Sequence, residues 1–88
     1  MISKTFTVGT TRSQILDGAP AARTIYVHVI GNTAVYLGGS TVTTANGLLT
    51  EKHTSPVEFF IPPHEELWAV VAAATEDLRI MQPVADGN

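Results

Sequence analysis

Residues 24–37 read TIYVHVIGNTAVYL and carry the clearest strand pattern in the chain. β-branched and aromatic residues stand on both sides of Gly31 and Asn32, as in two antiparallel strands joined by a tight turn. A loop of three residues, 31–33, gives the better packed hairpin because it places only aliphatic side chains on one face. The predicted inward residues are Ile25, Val27, Val29, Val35 and Leu37, with Val27 opposite Leu37 and Val29 opposite Val35.

The other face of this predicted hairpin is too apolar to be fully exposed to solvent. It would carry Tyr26, His28, Ile30 and Tyr36. Large aromatic residues are enriched at the centres of protein interfaces, so we expect a second layer of structure or a partner to cover this face. Trp68, the single tryptophan, is expected in the core, with an anchor in the partner interface as the alternative.

Residues 35–47, VYLGGSTVTTANG, pose a choice between a loop that grips a ligand and a simple turn. A phosphate-binding loop leads from a strand into a helix N-terminus and carries a lysine or a third spaced glycine, which this stretch lacks. We therefore expect Gly38, Gly39 and Gly47 to serve turns, the first two by adopting positive φ, and residues 41–43 to form a short edge strand.

Further strands are predicted at residues 5–8, 13–16 and 57–61. The third of these alternates, and Pro62 and Pro63 end it because proline cannot donate a hydrogen bond to a neighbouring strand. Its side chains expected to point inward are Val57, Phe59 and Ile61.

Residues 65–81 fit two secondary structures equally well. Two glutamates after a pair of prolines, followed by an alanine-rich centre, are typical of a helix. As two strands, residues 67–74 are apolar on both sides, as in a central strand, and residues 78–82 alternate after a turn at residues 75–77. The residues themselves do not choose between the helix and the strands.

The composition bounds the class of protein. The chain has 88 residues and no cysteine, so we expect one domain without disulfides. Charged residues make up 15% of the sequence, against about 25% in a typical soluble protein. A small domain this poor in charge is expected to have part of its surface covered by copies of itself or by a larger assembly.

The distribution of charge argues against nucleic acid as a partner, and the short apolar stretches argue against a membrane. The formal net charge is -3, and the basic residues are too scattered to follow a phosphate backbone. The longest apolar stretch, residues 67–74, is far shorter than a membrane span. We expect neither nucleic-acid nor membrane binding. The basic residues are Lys4, Arg12, Arg23, Lys52 and Arg79.

The sequence carries no recognisable catalytic or metal-binding motif. Zinc ligands recur at short spacings, and the separations between His28, His53 and His64 are too long for such a pattern. The serines stand in no nucleophile motif. We therefore expect no enzymatic activity, no metal and no cofactor.

The signature V-Y-L-G-G-S-x-V-T-x-x-N-G at residues 35–47 resembles small virion proteins of tailed bacteriophages. The resemblance continues through an alternating strand and a segment of leucine, aromatic residue and alanine, so that it covers about residues 23–84. Proteins of this group are usually all-β, which implies a hairpin rather than a helix over residues 67–82. Residues 51–56 depart from the pattern, because relatives tend to carry a glycine turn there.

These observations predict an all-β fold, a small antiparallel β-sandwich or barrel of about seven to eight short strands. The alternative is an α+β fold with a helix at residues 65–81. Residues 1–88 are expected to form a single β-sandwich domain, with extended arms at residues 1–8 and 83–88 that reach a neighbouring molecule.

The resemblance implies a non-enzymatic structural protein of the virion, assembled in the host cytoplasm. Some of its relatives are capsid decoration or minor capsid subunits, so the expected partners are the major capsid protein and further copies of the chain, as a homo-oligomer with a trimer favoured. Many weak contacts would stabilise the bacteriophage head. The alternative is a tail or fibre module that binds host cell-surface glycan, which would need Tyr36 or Trp68 to face solvent.

Overall fold

A computed structural model describes residues 2–52 and 57–82, which form eight β-strands and no helix. The predicted all-β fold is confirmed, and the alternative helix at residues 65–81 is wrong. None of the described residues belongs to a helix that could cross a membrane. The strands are β1 (Ile2–Val8), β2 (Ser13–Leu16), β3 (Arg23–Val29), β4 (Val35–Gly38), β5 (Leu48–Thr50), β6 (Val57–Ile61), β7 (Leu67–Val70) and β8 (Glu76–Gln82).

The strands form two four-stranded antiparallel sheets. Sheet A has the order β1-β8-β3-β6, and sheet B has the order β2-β7-β4-β5. The chain therefore changes sheet between consecutive strands everywhere except from β4 to β5. This strand order is that of an eight-stranded jelly roll, in which two Greek keys wrap one sheet around the other.

The hairpin predicted over residues 24–37 is wrong in its pairing. Strand β3 pairs with β6 and β8 in sheet A, whereas β4 pairs with β5 and β7 in sheet B. The segment around residue 31 is thus a crossover between sheets. The inward residues are nevertheless correct, because all five aliphatic side chains are buried and point into the space between the sheets.

The two strands predicted in the last third are present, but they form no hairpin. Strand β7 lies inside sheet B, as its apolar character on both sides predicts, and β8 lies inside sheet A. The chain turns at residues 72–74 rather than at residues 75–77. Ala74 adopts a left-handed backbone conformation there, with a φ of 59°. His64, in the loop before β7, also has a positive φ, of 66°. These two are the non-glycine residues with positive φ in the described part of the chain.

One hydrophobic cluster fills the space between the sheets. Alternate residues of each strand supply it, as the period of two in an extended chain requires. The inward residues predicted for β6 are confirmed, with Ile61 buried and Val57 and Phe59 half-buried. The buried members are Val8, Ile15, Leu16, Ile25, Val27, Val29, Val35, Leu37, Ile61, Leu67, Ala69, Val71, Leu78 and Ile80.

Residues 2–8 are not a free arm. They form β1, which pairs with β8 along its whole length, from Ile2 opposite Gln82 to Val8 opposite Glu76. Val8 is fully buried in the core, so removing this strand would open the domain itself. Met1 and the other predicted arm, residues 83–88, lie outside the described residues.

A buried carboxylate joins two of the crossovers between the sheets. Glu76 is only 8% exposed, and one of its oxygens accepts hydrogen bonds from the N–H groups of Gly31 at 2.7 Å and Asp77 at 3.0 Å. The other oxygen accepts from the N–H of Thr33 at 2.9 Å. The carboxylate at the start of β8 therefore satisfies backbone donors in the loop between β3 and β4, which have no ladder partner there.

Gly31 is a glycine because this contact is so close. A Cβ atom at residue 31 would lie 2.6 Å from both carboxylate oxygens of Glu76. The backbone of the crossover is further fixed by the N–H of Ile30, which donates to the carbonyl oxygen of Asp77 at 3.1 Å.

Changing Glu76→Gln should destabilise the domain by about 2 kcal/mol, because hydrogen bonds to a buried charged group are worth more than neutral ones. The new NH₂ group would also face backbone donors that now contact a carboxylate oxygen. The free energy of unfolding, measured by urea titration, tests this. Glu65→Gln, at an exposed glutamate, is the matched control and should change stability by less than about 0.5 kcal/mol. Equal unfolding midpoints for the two variants would contradict the assigned role of Glu76.

Candidate functional site

The residues predicted to form a partner interface lie on two opposite surfaces of the sandwich. Tyr26 and His28 point outward from β3 on sheet A, and Ile30 follows them at the start of the crossover. Tyr36 and Trp68 point outward from β4 and β7 on sheet B. A single partner surface formed by all five residues is therefore not what the fold produces.

The outer face of sheet A combines apolar and charged side chains. The register aligns Ser3, Met81, Tyr26 and Glu58 in one row across the four strands. The next row contains Thr5, Arg79 and His28. We call this surface the sheet A face and define it by Ser3, Thr5, Tyr26, His28, Glu58, Phe60, Arg79 and Met81.

The sheet A face contains a groove as well as exposed apolar side chains. A shallow groove of about 620 Å³ runs over β1, β8 and β3, and Tyr26, His28 and Met81 are among its lining residues. Phe60, on the neighbouring edge strand β6, is 65% exposed, and Met81 is 39% exposed. A large aromatic ring standing beside an apolar groove is an arrangement suited to contact with another protein.

Two opposite charges on the sheet A face lie on either side of β3. Glu58 belongs to β6 and Arg79 to β8, and both side chains are exposed. Within residues 2–52 and 57–82, neither side chain forms a hydrogen bond or an ion pair. By contrast, Asp77 on the same strand as Arg79 accepts a hydrogen bond from the hydroxyl of Thr7 at 2.9 Å.

The outer face of sheet B is partly covered by the chain itself. Trp68 is half-buried there, and its indole N–H donates to a carboxylate oxygen of Glu66 at 2.8 Å. The expectation that Trp68 belongs to the core is therefore wrong. Its position follows from the alternation of β7, because Leu67 and Ala69 take the inward positions.

The loop after β4, residues 39–47, folds back over this face and buries Val42. Arg12 holds it from the side by donating from Nη1 to the carbonyl oxygen of Val42 at 3.3 Å. Its own turn is closed by Asn46, whose side-chain oxygen accepts from the N–H of Thr43 at 2.7 Å, and by the N–H of Gly47, which donates to the carbonyl oxygen of Thr43 at 2.8 Å. The loop is a packed flap, and residues 41–43 do not form the predicted edge strand.

The glycines of this loop are required by close packing and not by positive φ. In the described residues no glycine has a positive φ, so that part of the prediction is wrong. A Cβ atom on Gly38 would lie 2.8 Å from Val42, and one on Gly47 would lie 2.7 Å from the Cβ of Tyr36. Gly38 is the last residue of β4, whereas Gly39 lies in the turn and has open space around it.

One of the two edges of sheet B exposes a second apolar pair. Strand β5 is the edge strand on that side, and its residues Leu48 and Leu49 are 56% and 54% exposed. Unpaired edges with apolar side chains are sites of strand addition unless charge or a covering loop protects them. We call Leu48 and Leu49 the β5 edge.

The described residues contain no group of three or more histidine, cysteine, aspartate or glutamate side chains that could hold a metal ion. His28 lies on the sheet A face. His64 is exposed in the loop before β7, where its backbone N–H donates to the carbonyl oxygen of Ala19 at 2.6 Å. His53 lies outside the described residues. The fold therefore does not bring His28 and His64 together.

Six exposed residues were missed as site candidates from the sequence. The alternation of β6 and β8 predicts that their charged and large residues point outward, but it does not say which strands lie beside them. Only the order of sheet A assembles the residues of β6 and β8 with Tyr26 into one surface, and only the order of sheet B places β5 at an edge. The missed residues are Leu48, Leu49, Glu58, Phe60, Arg79 and Met81.

No protein-family model matches this chain, and comparison with curated proteins and with solved structures likewise finds no significant match. The arguments about function therefore rest on the sequence and on the surfaces described above.

The close packing of the flap leads to a prediction about its glycines. Gly47→Ala should cost about 2 kcal/mol of stability, because the added methyl group would press on Tyr36 and Val42 and overpacking is destabilising. Gly39→Ala, which meets nothing within 4 Å, should change stability by less than about 0.5 kcal/mol. Urea unfolding of both variants measures the difference, and a destabilised Gly39→Ala with an unaffected Gly47→Ala would contradict the packing argument.

Proposed function

We propose that this protein is a non-enzymatic structural subunit of a tailed-bacteriophage virion, a capsid decoration or minor capsid protein. Its partner is the major capsid protein of the head, together with further copies of itself. It is added to the particle in the host cytoplasm and works without nucleic-acid or membrane contacts. Its activity is binding, and no cofactor takes part.

The observation that carries this proposal is the exposed apolar surface of a small domain. Within residues 2–52 and 57–82, the exposed large hydrophobic residues are Phe60, Leu48, Leu49 and Met81, and they fall on two separate surfaces. Single exposed apolar residues are normal, whereas grouped ones mark interaction sites. The low content of charged residues, 15%, supports the same view, because such a surface is poorly suited to a freely diffusing monomer.

The architecture and the sequence signature support the class of assembly. Jelly rolls are common in viral capsid proteins, and the signature at residues 35–47 resembles that of small virion proteins. A fold alone does not define a function, and the same architecture also occurs in lectins. The glycan-binding alternative is less well supported, because Tyr36 and Trp68 are half-buried rather than open platforms.

We assign the contact with the capsid lattice to the β5 edge. A strand of the capsid protein can add to the unpaired backbone of β5, while Leu48 and Leu49 pack against it, as in other cases of strand addition. Each contact of this size is weak. Repetition over many copies on one shell makes the total stabilisation large.

The test uses particles assembled without this chain, to which the purified protein is added before sedimentation. The wild-type protein should co-sediment with the particles, and the double variant Leu48→Ser/Leu49→Ser should bind about tenfold more weakly, since each tenfold loss corresponds to about 1.4 kcal/mol. Ala21→Ser/Ala22→Ser, at two exposed residues of another loop, is the control and should bind as the wild type does.

Three results would count against parts of this proposal. Failure of the wild-type protein to bind any head, together with its absence from purified particles, would reject the virion role. Binding to isolated host glycan in place of particles would favour the fibre alternative. Normal particle binding by Leu48→Ser/Leu49→Ser would keep the virion role and reject the β5 edge as the contact.

A further inference from the structure

We infer that the sheet A face is a self-association surface, on which two copies of this chain pack face to face about a two-fold axis that runs along β3. The sheet A face is separate from the β5 edge assigned to the capsid. The pairing needs no virion component, so it can be tested on the isolated protein.

The sheet A face is more apolar than a solvent-exposed sheet face normally is. An antiparallel sheet with one wet face normally alternates apolar residues inward with polar residues outward. On sheet A the outward positions of the three strands β3, β6 and β8 include Tyr26, Phe60 and Met81. Tyrosine, phenylalanine, methionine and arginine are the residues enriched in protein interfaces, and lysine and glutamate are depleted there.

The charges identify the partner as a second copy. Glu58 and Arg79 lie on the two neighbours of β3, exposed and without an ion-pair partner in residues 2–52 and 57–82. One negative and one positive group on opposite sides of a central strand make the surface complementary to itself. A two-fold mate therefore supplies a positive charge for the negative one and a negative charge for the positive one.

The sheet order gives the geometry of this pair. Rotation by 180° about an axis along β3 leaves β3 over its own copy and lays β6 of one molecule over β8 of the other. Tyr26 then meets Tyr26 at the axis. Glu58 and Met81 lie in the same row, on either side of Tyr26. Glu58 of the mate therefore lies over Met81, and its diagonal neighbour is Arg79, in the next row along β8. Aligned packing of two sheet faces about 10 Å apart allows side chains to interdigitate in this way.

The same rotation brings the exposed phenylalanine to the groove. Phe60 lies two residues after Glu58 on β6, just as Met81 lies two residues after Arg79 on β8. The diagonal step that joins Glu58 to Arg79 therefore also joins Phe60 of one copy to Met81 of the other, at the wall of the groove of about 620 Å³. The protruding ring of one copy has a matching concavity in its mate.

The face is large enough for a stable contact. The molecule measures 36 × 28 × 16 Å along its principal axes, and we place the sheet A face on one of its two broad sides. Each broad face thus has an outline comparable with the roughly 800 Å² per partner of a standard interface. An isologous contact is closed by two copies, so the isolated chain is a dimer, in place of the trimer expected from the sequence.

Charge exchange tests this pairing in solution. Glu58→Arg alone and Arg79→Glu alone should each weaken dimerisation at least about tenfold in Kd, measured by analytical ultracentrifugation, because like charges would then face each other twice per dimer. The double variant Glu58→Arg/Arg79→Glu should dimerise as the wild type does. Glu65→Arg, an exposed charge away from the sheet A face, should leave dimerisation unchanged.

Mixing the two single variants separates contact between molecules from contact within one molecule. Glu58→Arg leaves positive charges at both positions 58 and 79, and Arg79→Glu leaves negative charges at both. An equimolar mixture should therefore form heterodimers about as tightly as the wild type dimerises, although each variant alone forms only weak homodimers. Circular dichroism of each variant checks that it is folded. Rescue in the double variant without heterodimers in the mixture would place the charge pair within one molecule and overturn the inference.

The oligomeric state of the wild-type protein provides an independent test. A monomer at the highest soluble concentration, a trimer, or a dimer whose Kd does not respond to either charge exchange would each overturn the inference. None of these results affects binding of the chain to particles through the β5 edge, so failure of the pairing and failure of the virion role can be told apart.

Discussion

The carboxylate of Glu76 is the contact on which the topology depends. In a jelly roll the chain leaves one sheet for the other at almost every connection, and the backbone of such a crossover has no neighbouring strand to bond with. Glu76 stands at the start of β8, immediately after one crossover, and accepts hydrogen bonds from the N–H groups of Gly31 and Thr33 in another. Charged acceptors in a low-dielectric interior form strong hydrogen bonds, so one side chain holds both crossovers at the same end of the sandwich.

The limited size of the domain explains where its apolar surface lies. With only two layers, the core uses one face of each sheet, and the other two faces remain for solvent, for the chain itself or for partners. On sheet B the chain covers its own outer face with the flap of residues 39–47, which buries Val42. On sheet A no described segment does so, and Phe60 and Met81 stay exposed. Among the described residues, the exposed large apolar side chains are therefore concentrated at the sheet A face and the β5 edge.

Part of the candidate site could be predicted from the sequence, because side chains alternate along a strand. Tyr26 and His28 were expected to point away from the core, and they do. Their neighbours on the sheet A face, Glu58 and Arg79, come from strands about 30 and 50 residues further along the chain, and only pairing in sheet A brings them together. Tyr36 was assigned to the same surface as Tyr26 because nothing local distinguishes the outside of one sheet from the outside of the other.

The sequence by itself determined most of the extended segments and the side chains in them that face inward, because both follow from the period of two in a strand. It left residues 65–81 open between helix and strands, and it placed a strand at residues 41–43 where the structure has β5 at Leu48–Thr50 instead. The tertiary structure decided which strands are neighbours. Residues such as Val29 and Val35 look the same whether they share one face of a hairpin or meet across a sandwich, since both arrangements bury them. The crossover at Gly31 is held by the carboxylate of Glu76, 45 residues away in the sequence. Gly38 and Gly47 are required by the close approach of Val42 and Tyr36. Contacts between distant parts of the chain leave no periodic trace in the sequence, so only the folded molecule contains them.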